Sequence, residues 1–104
     1  SIDRRIQHAL SLIQMHSGKV SIDRLADESC LSQRQLERRF NAEVGISPKL
    51  FSRIIKFREA QIRLSTGTWS NLQEFAWDCG YFDNAHLTRE FLTFSGTLPS
   101  AFFL

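Results

Sequence analysis

Residues 25–40 read LADESCLSQRQLERRF and are followed at 45–51 by GISPKLF; residues 75–91 read FAWDCGYFDNAHLTREF and are followed at 96–102 by GTLPSAF. Leu36, Phe40, Gly45, Pro48 and Phe51 return 51 positions later as Leu87, Phe91, Gly96, Pro99 and Phe102, and Arg38 returns as Arg89. Each of the five has a structural reason to be what it is, so the coincidence reads as an internal duplication. Two copies at this period are too few for a solenoid. The offset is not constant. Ala26 and Cys30 map onto Ala76 and Gly80 at 50, whereas Leu36 maps onto Leu87 at 51, so the second copy carries one extra residue in the turn between them. A turn accepts an insertion; a helix interior would lose its register.

Around this repeat the chain reads as all-α, two short-helix units joined by a long central helix, about seven helices in all. Apolar positions from Ile2 to Ile13 recur at helical spacing, predicting a first helix over 2–16 that Ser17-Gly18 stops. Ser21 caps a short helix near 22–29. Ser32 caps a helix near 33–43 and forms a capping box with Gln35. Gly45 closes that helix in a left-handed conformation. Ser47-Pro48 opens the central helix, which should end near Leu64 at roughly 25 Å of length. Ser70 with Gln73 is expected to form a second capping box for a helix near 71–79, and Asp83 to cap one near 84–94. Pro99 begins a short terminal helix. The organisation expected is residues 1–47 as the first subdomain, 48–65 as the linker helix and 66–104 as the second. Trp77 is expected to pack, and Trp69 to be half exposed.

Composition excludes several classes. No apolar run reaches the roughly 18 residues of a membrane span, and no signal peptide is visible. Two Cys without ligand spacing suggest a reducing cytoplasm, and with three scattered His they assemble no metal site. Packing as small hydrophobes is the simpler reading of Cys30 and Cys79 than a redox role. There is no paired-carboxylate constellation, no nucleophile with a base at recognisable spacing and no Gly-rich phosphate loop, so neither an enzyme nor a cofactor is expected. The start at Ser1 without Met suggests a fragment. Net charge is only +2, but residues 32–63 hold eight Lys/Arg against three acids, a net of +5, and residues 64–104 hold Arg89 against four acids, a net of −3. Phosphate neutralisation would come mainly from the first unit and the central helix.

A short helix, a tight turn and a second helix form the helix-turn-helix pattern, whose second helix can enter the major groove. Two such units on a long helix resemble the DNA-binding domain of the AraC/XylS family of bacterial transcription regulators. The resemblance rests on Leu25-Ala26, Ser32, Leu36, Arg38, Phe40, Gly45, Ser47 and Pro48, then Ala60 and Leu64, then Ala76, Gly80, Tyr81, Leu87, Arg89, Phe91, Gly96 and Pro99. Four positions depart from the pattern. Cys30 stands where the turn Gly is usual, so that turn is expected to differ slightly. Lys56 stands where Arg is usual, Leu98 where Ser or Thr precedes the proline, and Ser95 where an aromatic is common.

The resemblance implies base contacts in the first unit at Arg34, Glu37 and Arg38, which the i, i+3, i+4 spacing sets on one stripe opposite Leu36 and Phe40. Arg can bind guanine O6 and N7 with two bonds, and Glu can accept from cytosine N4. The matching stripe in the second unit is Ala85, Thr88 and Arg89, flanked by Asn84 and His86. Phosphate contacts are expected from Gln33, Arg39, Lys49 and Arg53, while Lys56 is expected to pack or pair structurally. Reading helices that point the same way would enter successive major grooves, roughly 34 Å apart, on an asymmetric site. The implied partners are duplex DNA, RNA polymerase and a separate N-terminal effector-binding and dimerisation domain outside this chain. The competing reading is a helical protein-interaction module without DNA affinity.

Overall fold

The computed structural model describes residues 2–67 and 69–102. Among them run six α-helices and one short 3-10 helix, and no strand: α1 (Arg4–Met15), α2 (Ile22–Glu28), α3 (Gln33–Val44), α4 (Pro48–Thr66), α5 (Leu72–Asp78), α6 (Asn84–Ser95) and the 3-10 turn Pro99–Phe102. The chain divides into two compact units, one up to Ile55 and one from Lys56 onward.

The first unit closes over Ile6, Ala9, Leu12 and Ile13 of α1, Leu25 and Ala26 of α2, Leu31, and Leu36 and Phe40 of α3. Phe51 and Ile55, early in α4, pack against this core, with the Phe40 and Phe51 rings 5.8 Å apart. The second unit repeats the plan with Phe57, Ala60 and Leu64 of α4, Phe75 and Ala76 of α5, Cys79, Tyr81, and Leu87 and Phe91 of α6. Phe91 meets Phe57 edge-on at 4.9 Å and Phe102 at 5.9 Å. Each fully buried Phe or Leu contributes about 1.5–3 kcal/mol by leaving water. Beside Ser95, Phe94 packs on Phe57 with ring centroids 5.5 Å apart.

Caps account for where the helices begin. Ser21 accepts from the Arg24 amide, Ser32 and Gln35 form the reciprocal capping box, and Asp83 accepts from the His86 amide, each as the sequence predicts. Ser47 Oγ accepts from the Leu50 amide at 3.1 Å and opens α4 ahead of the buried Pro48. Two starts differ from expectation. Asp3 is the cap of α1, so that helix begins at Arg4 and leaves Ile2 outside it. Asn71, not Ser70, caps α5: its side chain accepts from the Glu74 amide at 2.7 Å, while the Ser70 hydroxyl bonds the Glu74 carboxylate at 2.9 Å. The α4 helix runs two residues beyond Leu64, because the Ser65 and Thr66 hydroxyls donate back to the Ile62 carbonyl and the Gly67 amide to that of Arg63.

Candidate nucleic-acid interface

In the first unit α2 ends on Ser29, Cys30 and Leu31. The Cys30 amide donates to the Asp27 carbonyl at 3.1 Å and the Leu31 amide to that of Ala26 at 3.0 Å, the two bonds of a Schellman turn. The second unit repeats both: Gly80 to Trp77 at 3.0 Å and Tyr81 to Ala76 at 2.9 Å. Cys30 takes φ +57° and Gly80 φ +88°, so the two turns share one hydrogen-bond pattern and one backbone region and differ only slightly in backbone angle. The hydrogen-bond pattern and the inward Leu31 hold Cys30 in the left-handed region against the ordinary preference of a residue with a Cβ.

The capping box then starts α3. Leu36 and Phe40 are completely buried on one face, and Arg34, Glu37 and Arg38 are exposed on the other with no ion pair among the described residues. Gln33, at the first helical position, donates its side-chain amide to Asp23 of α2 and so braces the two helices of the motif. Arg39 is turned off the stripe and pairs with Asp3 at 3.6 Å. Asp3 also binds the Arg5 guanidinium at 3.0 Å, and that bond, with the Arg5 backbone amide, holds its carboxyl down at about 2. Glu43 completes the tie by accepting from the Asp3 amide at 2.7 Å. Lys49 is exposed in the first turn of α4, and Arg53, one turn on, is half-buried.

In the second unit Leu87 and Phe91 face inward from α6, and Ala85 and Arg89 are exposed. Asn84 and Thr88 are half-buried and linked by a side-chain contact of 3.4 Å, while the Asn84 amide donates to Gln73 of α5 at 3.2 Å. His86 is also half-buried: its Nδ1 accepts from the Phe82 amide at 3.4 Å, its Nε2 lies 3.9 Å from the buried Glu90 carboxylate, and its ring meets Tyr81 edge-on. Lys56 takes the structural place expected of it, donating to the Gly80 carbonyl at 3.3 Å and standing 5.5 Å from the centre of the Tyr81 ring. Burial pushes the Tyr81 hydroxyl above its ordinary titration range, with the Glu90 charge adding to the effect.

All twelve sequence-predicted contact residues are exposed or half-buried, and none is buried. They fall on both motifs: Gln33, Arg34, Glu37, Arg38 and Arg39 on α3, Lys49 and Arg53 on α4, and Asn84, Ala85, His86, Thr88 and Arg89 on α6. Trp77 does not pack as the sequence reading expects. It is 61% exposed on the outer face of α5 and donates its indole N–H to the Phe82 carbonyl at 3.2 Å. Phe82, which sequence reasoning passed over, is 85% exposed. No group of three or more His, Cys, Asp or Glu positioned to hold a metal ion occurs among the described residues, and no described helix is long and apolar enough to cross a membrane.

Two capped reading helices, each set by a Schellman turn and each apolar on its inner face, define the chain as a DNA-binding domain built of two helix-turn-helix motifs. Comparison with known proteins agrees. Residues 25–104 match the family described as "Helix-turn-helix domain". The chain is 28% identical over 90 residues to the HTH-type transcriptional regulator MtrA of Neisseria gonorrhoeae, covering 86% of this chain and 30% of that protein. Its fold is similar to the C-terminal domain of AraT, a response regulator from Geobacillus stearothermophilus, with a TM-score of 0.87 and 21% identity over 97% of this chain and 84% of that one. It is also similar to the DNA-binding domain of the global transcriptional factor AdpA solved with a target DNA, with a TM-score of 0.83 and 23% identity over 93% of this chain and 87% of that one. The chain belongs to the AraC-type helix-turn-helix family of transcription regulators. It spans about 30% of the length of the gonococcal regulator.

Proposed function

We propose that this domain reads a specific duplex DNA site through α3 and α6 and thereby regulates bacterial transcription. The observation that carries the reading is the exposed Arg34, Glu37 and Arg38 stripe on a braced, capped helix whose other face is fully buried. A rigid helix with two unpaired guanidiniums and one carboxylate matches donor and acceptor edges in the major groove. Arg34 and Arg38 are assigned to guanine edges and Glu37 to a cytosine amino group. In the second unit Ala85 and Arg89 are the direct contacts, flanked by Asn84, His86 and Thr88. Gln33, Arg39, Lys49 and Arg53 are assigned to phosphates, where they position the domain without reading sequence. The two stripes differ in sequence, so the site is asymmetric and one chain suffices to occupy it.

The net +5 of residues 32–63, the stretch of α3 and most of α4, gives that stretch most of the salt-dependent affinity. In the cell the domain works in the cytoplasm, within a longer regulator whose separate N-terminal domain senses an effector and dimerises, and RNA polymerase is its protein partner. Selection of duplexes from a random pool gives the preferred site, and two substitutions then test the assignment. Arg38→Ala should cost roughly 1–3 kcal/mol on that site and relax preference at one base position. Lys49→Ala should weaken all sequences about equally and lower the salt slope by about one. If both variants bind as the parent does, or the parent shows no salt-dependent affinity for duplex DNA, the reading fails and a protein-interaction role replaces it.

A further inference from the structure

The one-residue insertion that distinguishes the two repeats is Phe82. The Schellman turns fix the alignment on one side, since Leu31 and Tyr81 occupy the same position and both point inward at 7% and 3% exposure. The caps fix it on the other side, since Ser32 and Asp83 both begin the reading helix. Between Leu31 and Ser32 there is nothing; between Tyr81 and Asp83 there is Phe82. An apolar residue just before a cap ordinarily staples onto the fourth helical residue. Here that residue is Leu87, which is fully buried without it, and Phe82 stands 85% exposed, more than Trp77, Leu92 or Leu98. Folding therefore gives no account of an aromatic at this point. The backbone beneath it is nonetheless held firmly: the Trp77 indole bonds its carbonyl at 3.2 Å and its amide donates to His86 Nδ1 at 3.4 Å.

Phe82 lies directly ahead of the Asp83 cap, at the N-terminal end of α6, the helix on which Ala85 and Arg89 are exposed. Arg89 is the one Lys or Arg among residues 64–104, which leaves the stretch around α5 and α6 poor in charge attraction to phosphate. We infer that Phe82, backed by Trp77, is an apolar DNA contact of the second reading head, laid against a thymine C5-methyl or a deoxyribose face. The inference rests on the DNA-binding reading above. A phenyl ring against a thymine methyl is a direct-readout contact, and it adds affinity without releasing counterions. Glu74 and Asp78, exposed on α5, make a Lys/Arg-rich protein surface the competing occupant.

The test uses the chain and the duplex recovered by random-pool selection. Phe82→Ala should melt at the parent temperature, because the ring contacts little of the fold. It should bind the selected duplex about tenfold or more weakly, the effect of withholding a phenyl ring from burial, with an unchanged salt slope. Replacing thymine by deoxyuridine along the second half of the site separates the two DNA chemistries. Loss in the parent but not in Phe82→Ala assigns the methyl; loss in neither, with Phe82→Ala still weak, assigns the sugar. Phe82→Ala binding within twofold of the parent, while Arg89→Ala is clearly weaker, overturns the inference and leaves the DNA-binding reading standing. The inference is equally overturned if Phe82→Ala keeps its DNA affinity but loses binding to a Lys/Arg-rich helical peptide.

Discussion

Cys30 and Gly80 occupy the same place in two copies of one turn, and this permits a paired stability experiment. Cys30 sits at φ +57° with an exposed side chain. A residue with a Cβ in the left-handed region costs roughly 1–2 kcal/mol. Glycine removes that cost but enters with about 0.5–1 kcal/mol more unfolded-chain entropy to lose. With no packing to forfeit at an exposed thiol, Cys30→Gly should stabilise by about 0.5–1 kcal/mol. The reciprocal Gly80→Cys, at φ +88°, should destabilise by about the same amount. For a chain of 104 residues this is a rise or fall in Tm of about 2–8 °C, read by circular dichroism under reducing conditions. DNA affinity at low temperature should not change in Cys30→Gly. A Cys30→Gly variant destabilised by more than about 1 kcal/mol would refute the reasoning, because the strain assigned to the left-handed thiol would then be outweighed by contacts of its sulfur.

Two further outcomes follow from the cores and charges. Phe91, fully buried between Phe57 and Phe102, should cost about 3–5 kcal/mol as Phe91→Ala, whereas Arg89→Ala two residues earlier should leave urea unfolding within about 0.5 kcal/mol; equal effects would contradict the inner and outer faces assigned to α6. The Asp3 carboxyl titrates lower in the fold than in the unfolded chain, about 2 against 3.8, so the stability it adds is complete above 3.8 and disappears as pH falls through 2; the stability gap between parent and Asp3→Asn should close over that window, and a gap constant with pH would count against the Arg5 and Arg39 pairing.

Most of the fold was legible because it is specified locally. Caps at Ser21, Ser32 and Asp83, the glycine stops and the spacing of Leu36 with Phe40 are short-range rules that the chain obeys. The sequence misplaces the α5 cap because Ser70 and Asn71 are adjacent and both competent; Gln73 lies three residues beyond Ser70 and Glu74 three beyond Asn71, so the choice belongs to the backbone entering the helix. Aromatic identity points Trp77 inward, although Phe75, Ala76 and Cys79 already define the buried side and set position 77 about 150° from its centre. At the candidate interface the stripes were readable from periodicity. The partners of Gln33 and Arg39 were not, since Asp23 and Asp3 reach them only through the packing of one helix on another; the Phe82 amide on His86 is local, but it depends on the backbone path of the turn entering α6. Phe82 did leave a trace, in the change of repeat offset, but the offset marks a turn and says nothing of which residue in it projects.

The knot of Asp3 with Glu43 and Arg39 has a mechanical consequence. Residue 3 is fastened directly to the rear of α3, through a backbone amide on one side and a carboxylate on the other. Any polypeptide joined ahead of it therefore pulls on the first recognition helix at its back, across two short linkages. Strain arriving from upstream is delivered to that helix without first deforming α4.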